Sequence, residues 1–333
     1  MPLNDSIIPH MLDVNSYDRR EFLKGMTCAA FCGAGIAGLG SEMADDGFAA
    51  LQKEVAEIPG SEFLAFVHGA TMAEDRSCIA DSECEAMYAR YPILRRYDDA
   101  FRKVVREMRE TDVGDAPAVW YVYNMGVIVK THRSVFSIDL SHRLAPTIAD
   151  ELDFAVITHN HLDHYTEAFY RAMNSRHKTV VSNFRDNYGA CLHVKDGIGG
   201  FSRGERTFEL GGVTVHTYES DHNHLLRGFV MPVEVCVGDY TILHVGDTFN
   251  TGDLKPRRTP DLFIHHAWCW ETRNQTIDGI NAFRPRCAVI AHHLELGHNG
   301  GGRRPLSVAY AKKAEAEAAG VRAVAPFWGD RIA

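Results

Sequence analysis

The chain is short of several features that would point to common functions. Its eight cysteines among 333 residues form neither the paired spacing of a zinc finger nor the density of a disulfide scaffold. Cys28 and Cys32 come early, and Cys236 and Cys287 lie in apolar, strand-like runs that read as buried thiols. Cys78 and Cys84 flank a short acidic segment; they either close a small loop in an oxidising compartment or remain two thiols. The longest mildly apolar stretch, Met26 to Gly40, is too short for a good membrane span. No low-complexity tract, coiled coil or solenoid-period repeat is present. Nor is there a Gly-rich phosphate loop at strand–helix spacing, or a Ser-His-Asp arrangement. Excess positive charge is missing too: 35 Lys and Arg face 44 Asp and Glu, a net charge of −9. Without residues 1–49, with three basic and seven acidic side chains, 32 and 37 remain, a net of −5. Such a surface has no global pull toward polyanions, so nucleic acid is not the expected partner. Arg303-Arg304 and the group Lys255, Arg257, Arg258 are small basic spots. They are solvated surface, or they hold a phosphate or carboxylate at the rim of a site.

What the chain has is histidine, and its arrangement is informative. Directly after the apolar run Phe154-Ala155-Val156-Ile157 comes Thr158-His159-Asn160-His161-Leu162-Asp163-His164. Imidazole nitrogen and carboxylate oxygen are ligands for zinc and similar divalent metals. Four such groups in one short loop are too many for a single ion to take easily. The spacing therefore suggests a shared site, with His159 and His161 serving one ion and Asp163 and His164 another.

The H-x-H-x-D-H motif resembles that of the metallo-β-lactamase-fold hydrolase superfamily, and further motifs follow in the family's order. Val213–Tyr218 runs into Glu219-Ser220-Asp221-His222-Asn223-His224, then Gly228-Phe229-Val230. Tyr240–Val245 ends in Gly246-Asp247-Thr248, and Cys287–Ala291 ends in His292-His293. The resemblance covers about residues 115 to 333. It implies that His159, His161 and a third His form one metal site. Asp163, His164 and a final His form the other, and Asp247 bridges the two. For the third His, His222 is favoured over His224, because Gly228 follows six residues later. For the final His, His293 is favoured over His292, because Leu294 follows it directly. Two ions about 3.5–4 Å apart can share a hydroxide that serves as nucleophile. Zinc is the first expectation, with manganese or iron as alternatives. Asp163 belongs to the catalytic group as well, and Glu295 and His298 are candidates for protonating a leaving group. His265-His266 is either a supporting pair or a strand end near the site without contact.

Period and punctuation organise the rest. Residues 50–115 read as a helical accessory segment, with Phe101, Val104, Val105 and Met108 at 3–4 spacing between Tyr97 and Arg109. Strands are expected at Val119–Tyr123, Gly126–Lys130 and Ser134–Ile138, and helices at Glu167–Asn174, Ile277–Phe283 and Pro305–Ala319. The resemblance and this alternation predict an α/β fold: a four-layer αββα metallo-β-lactamase-type sandwich over 116–333, preceded by the helical extension.

The leader, 1–49, carries its own pattern. Asp18-Arg19-Arg20-Glu21-Phe22-Leu23-Lys24 resembles the twin-arginine export motif, and Gly47-Phe48-Ala49 offers a small-residue cleavage site. Export machinery is the partner this implies, with a periplasmic or cell-envelope location; without a working leader the location is cytoplasmic.

Motif details narrow the function. Asp247 argues against antibiotic hydrolysis, because true metallo-β-lactamases generally lack that bridging residue. His161 stands where flavodiiron-type enzymes carry Glu, and no chain remains for a flavin domain. The expectation is a dinuclear hydrolase of a small or lipid-like ester, lactone or phosphodiester. The Phe327-Trp328-Gly329-Asp330 ending most resembles the lactonase/phosphodiesterase-like branch. The alternative is an exported metal-dependent binding or sensor protein without turnover.

Overall fold

The computed structural model describes residues 45–68, 81–184, 192–193, 204–223, 226–267, 275–298 and 303–333. The twin-arginine motif and Cys78 therefore lie outside the described residues, and so does His224. Cys84 is buried on helix α3 (Asp81–Arg90). Helix α1 (Asp45–Glu57) runs through position 49, the expected cleavage site.

After α1 come α2 (Gly60–His68), α3 and α4 (Pro92–Glu110). In α4 the residues Ile93, Leu94, Tyr97, Phe101, Val104, Val105 and Met108 recur at 3–4 spacing, and all are buried. Pro92 occupies the first turn, where its missing N–H costs nothing. The apolar stripe faces the first sheet and packs on β1 (Ala118–Tyr123).

Two sheets form the body. The first has the order β1, β2 (Gly126–Lys130), β3 (Val135–Ile138), β4 (Phe154–Ile157), β5 (Thr179–Ser182), β6 (Leu192–His193). The second runs from β7 (Arg206–Leu210) through β8 (Val213–Thr217), β9 (Val233–Val237), β10 (Tyr240–His244), β11 (Leu262–His266) and β12 (Cys287–Ala291) to β13 (Arg322–Val324). Helices α5 (Glu167–Ser175), α6 (Gln275–Phe283) and α7 (Leu306–Ala318) complete the layers.

This is the expected αββα metallo-β-lactamase-type sandwich. Strands β1, β4, β9, β11 and β12 are buried along their whole length, as strands covered on both faces must be. Full burial of a ring such as Phe136 or Phe263 stabilises the fold by about 1.5–3 kcal/mol. The edge of β1 is covered by the chain's last residues, with Val119 N–H donating to Ala333 O at 3.0 Å and Ile332 N–H to Val119 O at 2.7 Å.

Parallel pairing decides where the polar groups go. β3, β4 and β5 run parallel, and so do β10, β11 and β12. Their C-terminal ends therefore lie side by side within each sheet, and four of them lead into polar positions: Asp139 after β3, Thr158 after β4, the Gly246-Asp247 turn shortly after β10 and His292 after β12.

Candidate metal centre

The loop after β4 begins with Thr158, whose N–H and Oγ1 each donate to Asp139 at 2.7 Å. That anchor sets His159 and the residues after it. Gly246 has φ +54°, and a Cβ there would fall 2.7 Å from Thr158 Oγ1. The glycine thus brings the Asp247 turn against the histidine loop.

Asp247 lies between two groups of ligands. His159, His161, His222 and Asp247 offer atoms that all lie within 4.8 Å of one another, and Asp163, His164 and His292 form a second such group. Oδ2 of Asp247 is 3.4 Å from His222 Nε2, 3.8 Å from His159 Nε2 and 3.3 Å from His292 Nε2. Oδ1 faces His164 Nε2 at 3.4 Å. Asp163 Oδ2 lies 3.4 Å from His292 Nε2 and 3.6 Å from His164 Nε2.

The expected final ligand, His293, is not in this cluster. Its ring stacks against Tyr121 at 5.8 Å, and burial followed by the neighbouring His292 pushes its pKa down to about 3. His292 takes the place. Its φ of +56° and the hydrogen bond from its N–H to Asn124 O, 2.9 Å, turn the chain just past β12. That turn aims His292 at the carboxylates and His293 into the core.

The electrostatics describe a site that wants positive charge. Burial alone would raise the Asp247 carboxyl, but His292, His164 and His222 outweigh it and hold it well below the usual range. Asp163 is held down in the same way by His164 and His292, against burial. Burial opposes charge on His164, yet Asp247, Asp163 and Asp139 together raise it well above its ordinary value. A proton on His164 answers the same field that a divalent cation would. His159 and His161 are instead pushed down by burial, His161 to about 4, which leaves neutral imidazoles with a lone pair to offer. His164 Nε2 and Asp247 Oδ1 are buried without a well-formed hydrogen bond. The residues thus fit divalent metal ions held by nitrogen and oxygen ligands.

Glu295 and His298 sit beside the cluster. Glu295 is fully buried and accepts four donors: Tyr123 OH at 3.2 Å, Gly297 N–H at 2.6 Å, and His298 N–H and Nδ1 at 2.9 and 2.7 Å. Asp163 also approaches this pair closely enough for a three-ligand group. Four donors on one carboxylate leave little room for a cation, so a hydrogen-bonded dyad is the better description. Burial opposes charge on His298, but Glu295 outweighs it and raises the pKa to about 9.

No protein-family model matches the chain. A UPF0173 protein of Pyrococcus abyssi is 26% identical over 196 residues, covering 55% of this chain and 85% of that relative. Igni18, a metallo hydrolase from the archaeon Ignicoccus hospitalis, superposes with a TM-score of 0.50 at 18% identity, over 65% of this chain and 97% of its own. A possible metal-dependent hydrolase from Veillonella parvula reaches 0.47 at 15% identity, over 65% and 98%. The fold is that of the metallo-β-lactamase-type metal hydrolases.

Several supporting residues were not singled out from sequence. Asp139 Oδ2 lies 2.9 Å from His164 Nδ1, and Asn124 Nδ2 donates to Asp163 Oδ2 at 2.9 Å. Each follows an apolar strand, a weak signal that parallel or hairpin packing makes meaningful. The ring of Phe229 packs against His159, His161 and His222. His244 Nδ1 accepts the Gly246 N–H at 3.3 Å, so its Nε2 donates to Met125 O at 2.8 Å and joins the two sheets. Of the His265-His266 pair, His266 supports the Asp247 turn through Thr248 O at 2.9 Å, while His265 pairs with Thr276 Oγ1 at 2.7 Å. Two residues of the basic spots have partners within the protein. Arg303 donates to the carbonyls of His298, Leu296 and Val55, and Arg258 to that of Gly238.

Proposed function

We propose that the chain is a metal-dependent hydrolase that holds two divalent ions, zinc before manganese or iron, and acts on a small or lipid-like ester, lactone or phosphodiester. The observation that carries the reading is the position of Asp247, within 3.8 Å of imidazole nitrogens from both ligand groups. His159, His161 and His222 would hold one ion, Asp163, His164 and His292 the other, and Asp247 both. Bound there, such ions would supply Lewis acidity and make water nucleophilic near neutral pH.

The chain's own residues supply the rest. Asp139 fixes the ring of His164 through Nδ1, which leaves Nε2 for the centre. Asn124 holds Asp163 by one oxygen. Glu295 binds Nδ1 of His298, so Nε2 of the partly exposed ring is the atom that can pass a proton to a leaving oxygen. Glu295 beside it favours the protonated ring, which suits a general acid.

Metal analysis of the purified protein, with turnover of chromogenic esters, lactones and phosphodiesters before and after chelation, tests the reading. Two ions per chain and chelator-sensitive hydrolysis are expected. Activity untouched by strong chelators would sink it, and two ions with no turnover across the panel would favour a binding protein. We extend the proposal to export through the Arg19-Arg20 leader, since folding before transport would let the cell choose the metal.

A further inference from the structure

The carbonyl of Leu162 sits between two expected ligands, His161 and Asp163. It accepts two side-chain hydrogen bonds: from Ser141 Oγ at 2.9 Å and from His68 Nε2 at 3.0 Å. A carbonyl oxygen has two lone pairs, and both are engaged here. The Leu162 side chain is 39% exposed, so it does little to anchor the loop by burial. At this position the loop is held through its backbone carbonyl instead.

The two donors come from different parts of the chain. Ser141 follows β3 and is itself held by Tyr97 of α4, whose OH donates to Ser141 O at 3.1 Å. His68 is the last residue of α2, outside the sandwich. Because a carbonyl can only accept, Nε2 must carry the proton, and burial, which pushes His68 to about 4, keeps that ring neutral. The helices that present His68 are fixed against the body. Arg303 donates to Val55 O of α1 at 2.5 Å, and a Cβ on Gly297 would fall 3.2 Å from Leu64 of α2. Phe63 of α2 packs edge-on against Tyr97 at 5.4 Å.

We propose that His68 is a positioning residue of the metal centre: by holding the Leu162 carbonyl from α2, it sets the spacing between His161 and Asp163. The accessory helices are then part of the site's construction. This inference rests on the reading of the cluster as a two-ion centre.

The test is a cobalt(II) titration of the metal-stripped full chain, read by visible absorption. It compares the parent with His68→Ala, His68→Gln and Ser141→Ala, and thermal melts of the metal-free proteins report the fold. His68→Ala should weaken cobalt binding roughly tenfold and shift the absorption bands, as loss of a group that orients ligands does. His68→Gln, whose amide N–H can reach the same carbonyl, should recover most of the affinity. Ser141→Ala should reproduce the band shift, and it carries the test together with His68→Gln if His68→Ala fails to fold. A parent-like titration for folded His68→Ala would overturn the inference and leave the two-ion reading intact. So would a Gln variant no better than Ala, which would reduce His68 to a packing residue. A parent chain that takes up no cobalt would defeat both.

Discussion

Oδ2 of Asp139 accepts the Thr158 hydroxyl at 2.7 Å and holds Nδ1 of His164 at 2.9 Å. One carboxylate therefore orients both the start of the histidine loop and one of its ligands. Asp139→Asn keeps the shape but loses the charge that stabilises the His164 N–H. Divalent-metal affinity should drop about 10–100-fold with the fold retained. Competition against a chromophoric chelator measures this, and parent-like affinity would remove Asp139 from the site's support.

Asp247 is the carboxylate that faces both ligand groups. Asp247→Ala should lose at least one ion and lower turnover by orders of magnitude. Metal content by elemental analysis, alongside rate, decides it. Two ions and full activity in the variant would mean the centre lies elsewhere.

Neighbouring histidines should behave very differently. His292→Ala should abolish tight binding of one ion, because its Nε2 meets both Asp163 and Asp247. His293→Ala should leave metal binding nearly intact and instead lower stability, since it empties space beside Tyr121 in the core. Paired metal titrations and melts of the two variants give the answer, and the opposite order would restore His293 as ligand.

The His298–Glu295 pair predicts a pH dependence of stability. Burial works against the charged ring, but Glu295 raises its pKa above the ordinary 6.5 to about 9. Between those values the folded state holds a proton that the unfolded chain has released. The pair's stabilisation is thus fully present below about pH 6.5 and declines as the pH rises to about 9. In metal-free protein the melting temperature should fall across that window, and Glu295→Gln should flatten the slope. An equal slope in parent and variant would contradict the assignment.

Export has its own test. Changing Arg19 and Arg20 to Lys preserves charge but removes the paired guanidinium groups a receptor could read. The variant should remain in the cytoplasm, folded and metal-loaded, while the parent reaches the cell envelope. Cell fractionation that finds both in the same place would rule the leader out as an export signal.

Much of this protein is determined by local sequence. Apolar runs ending in polar residues specify the strands and their polar ends, and 3–4 spacing specifies α4. H-x-H-x-D-H and Gly246-Asp247 put five ligand candidates at two strand ends, because a short loop after a strand leaves its side chains few directions to take. The choice between His292 and His293 was not legible there. Both follow the same buried strand, and only the φ of +56° at His292, held by its hydrogen bond to Asn124 O, decides which ring meets the carboxylates. Asp139 and Asn124 gain their roles only when β3 lies parallel to β4 and the β1–β2 turn reaches His292. His68 is 94 residues from Leu162, and no spacing rule spans that distance. Period and motif encode what a residue's near neighbours can do, while the partners that orient the ligands come from chain separations that only packing closes.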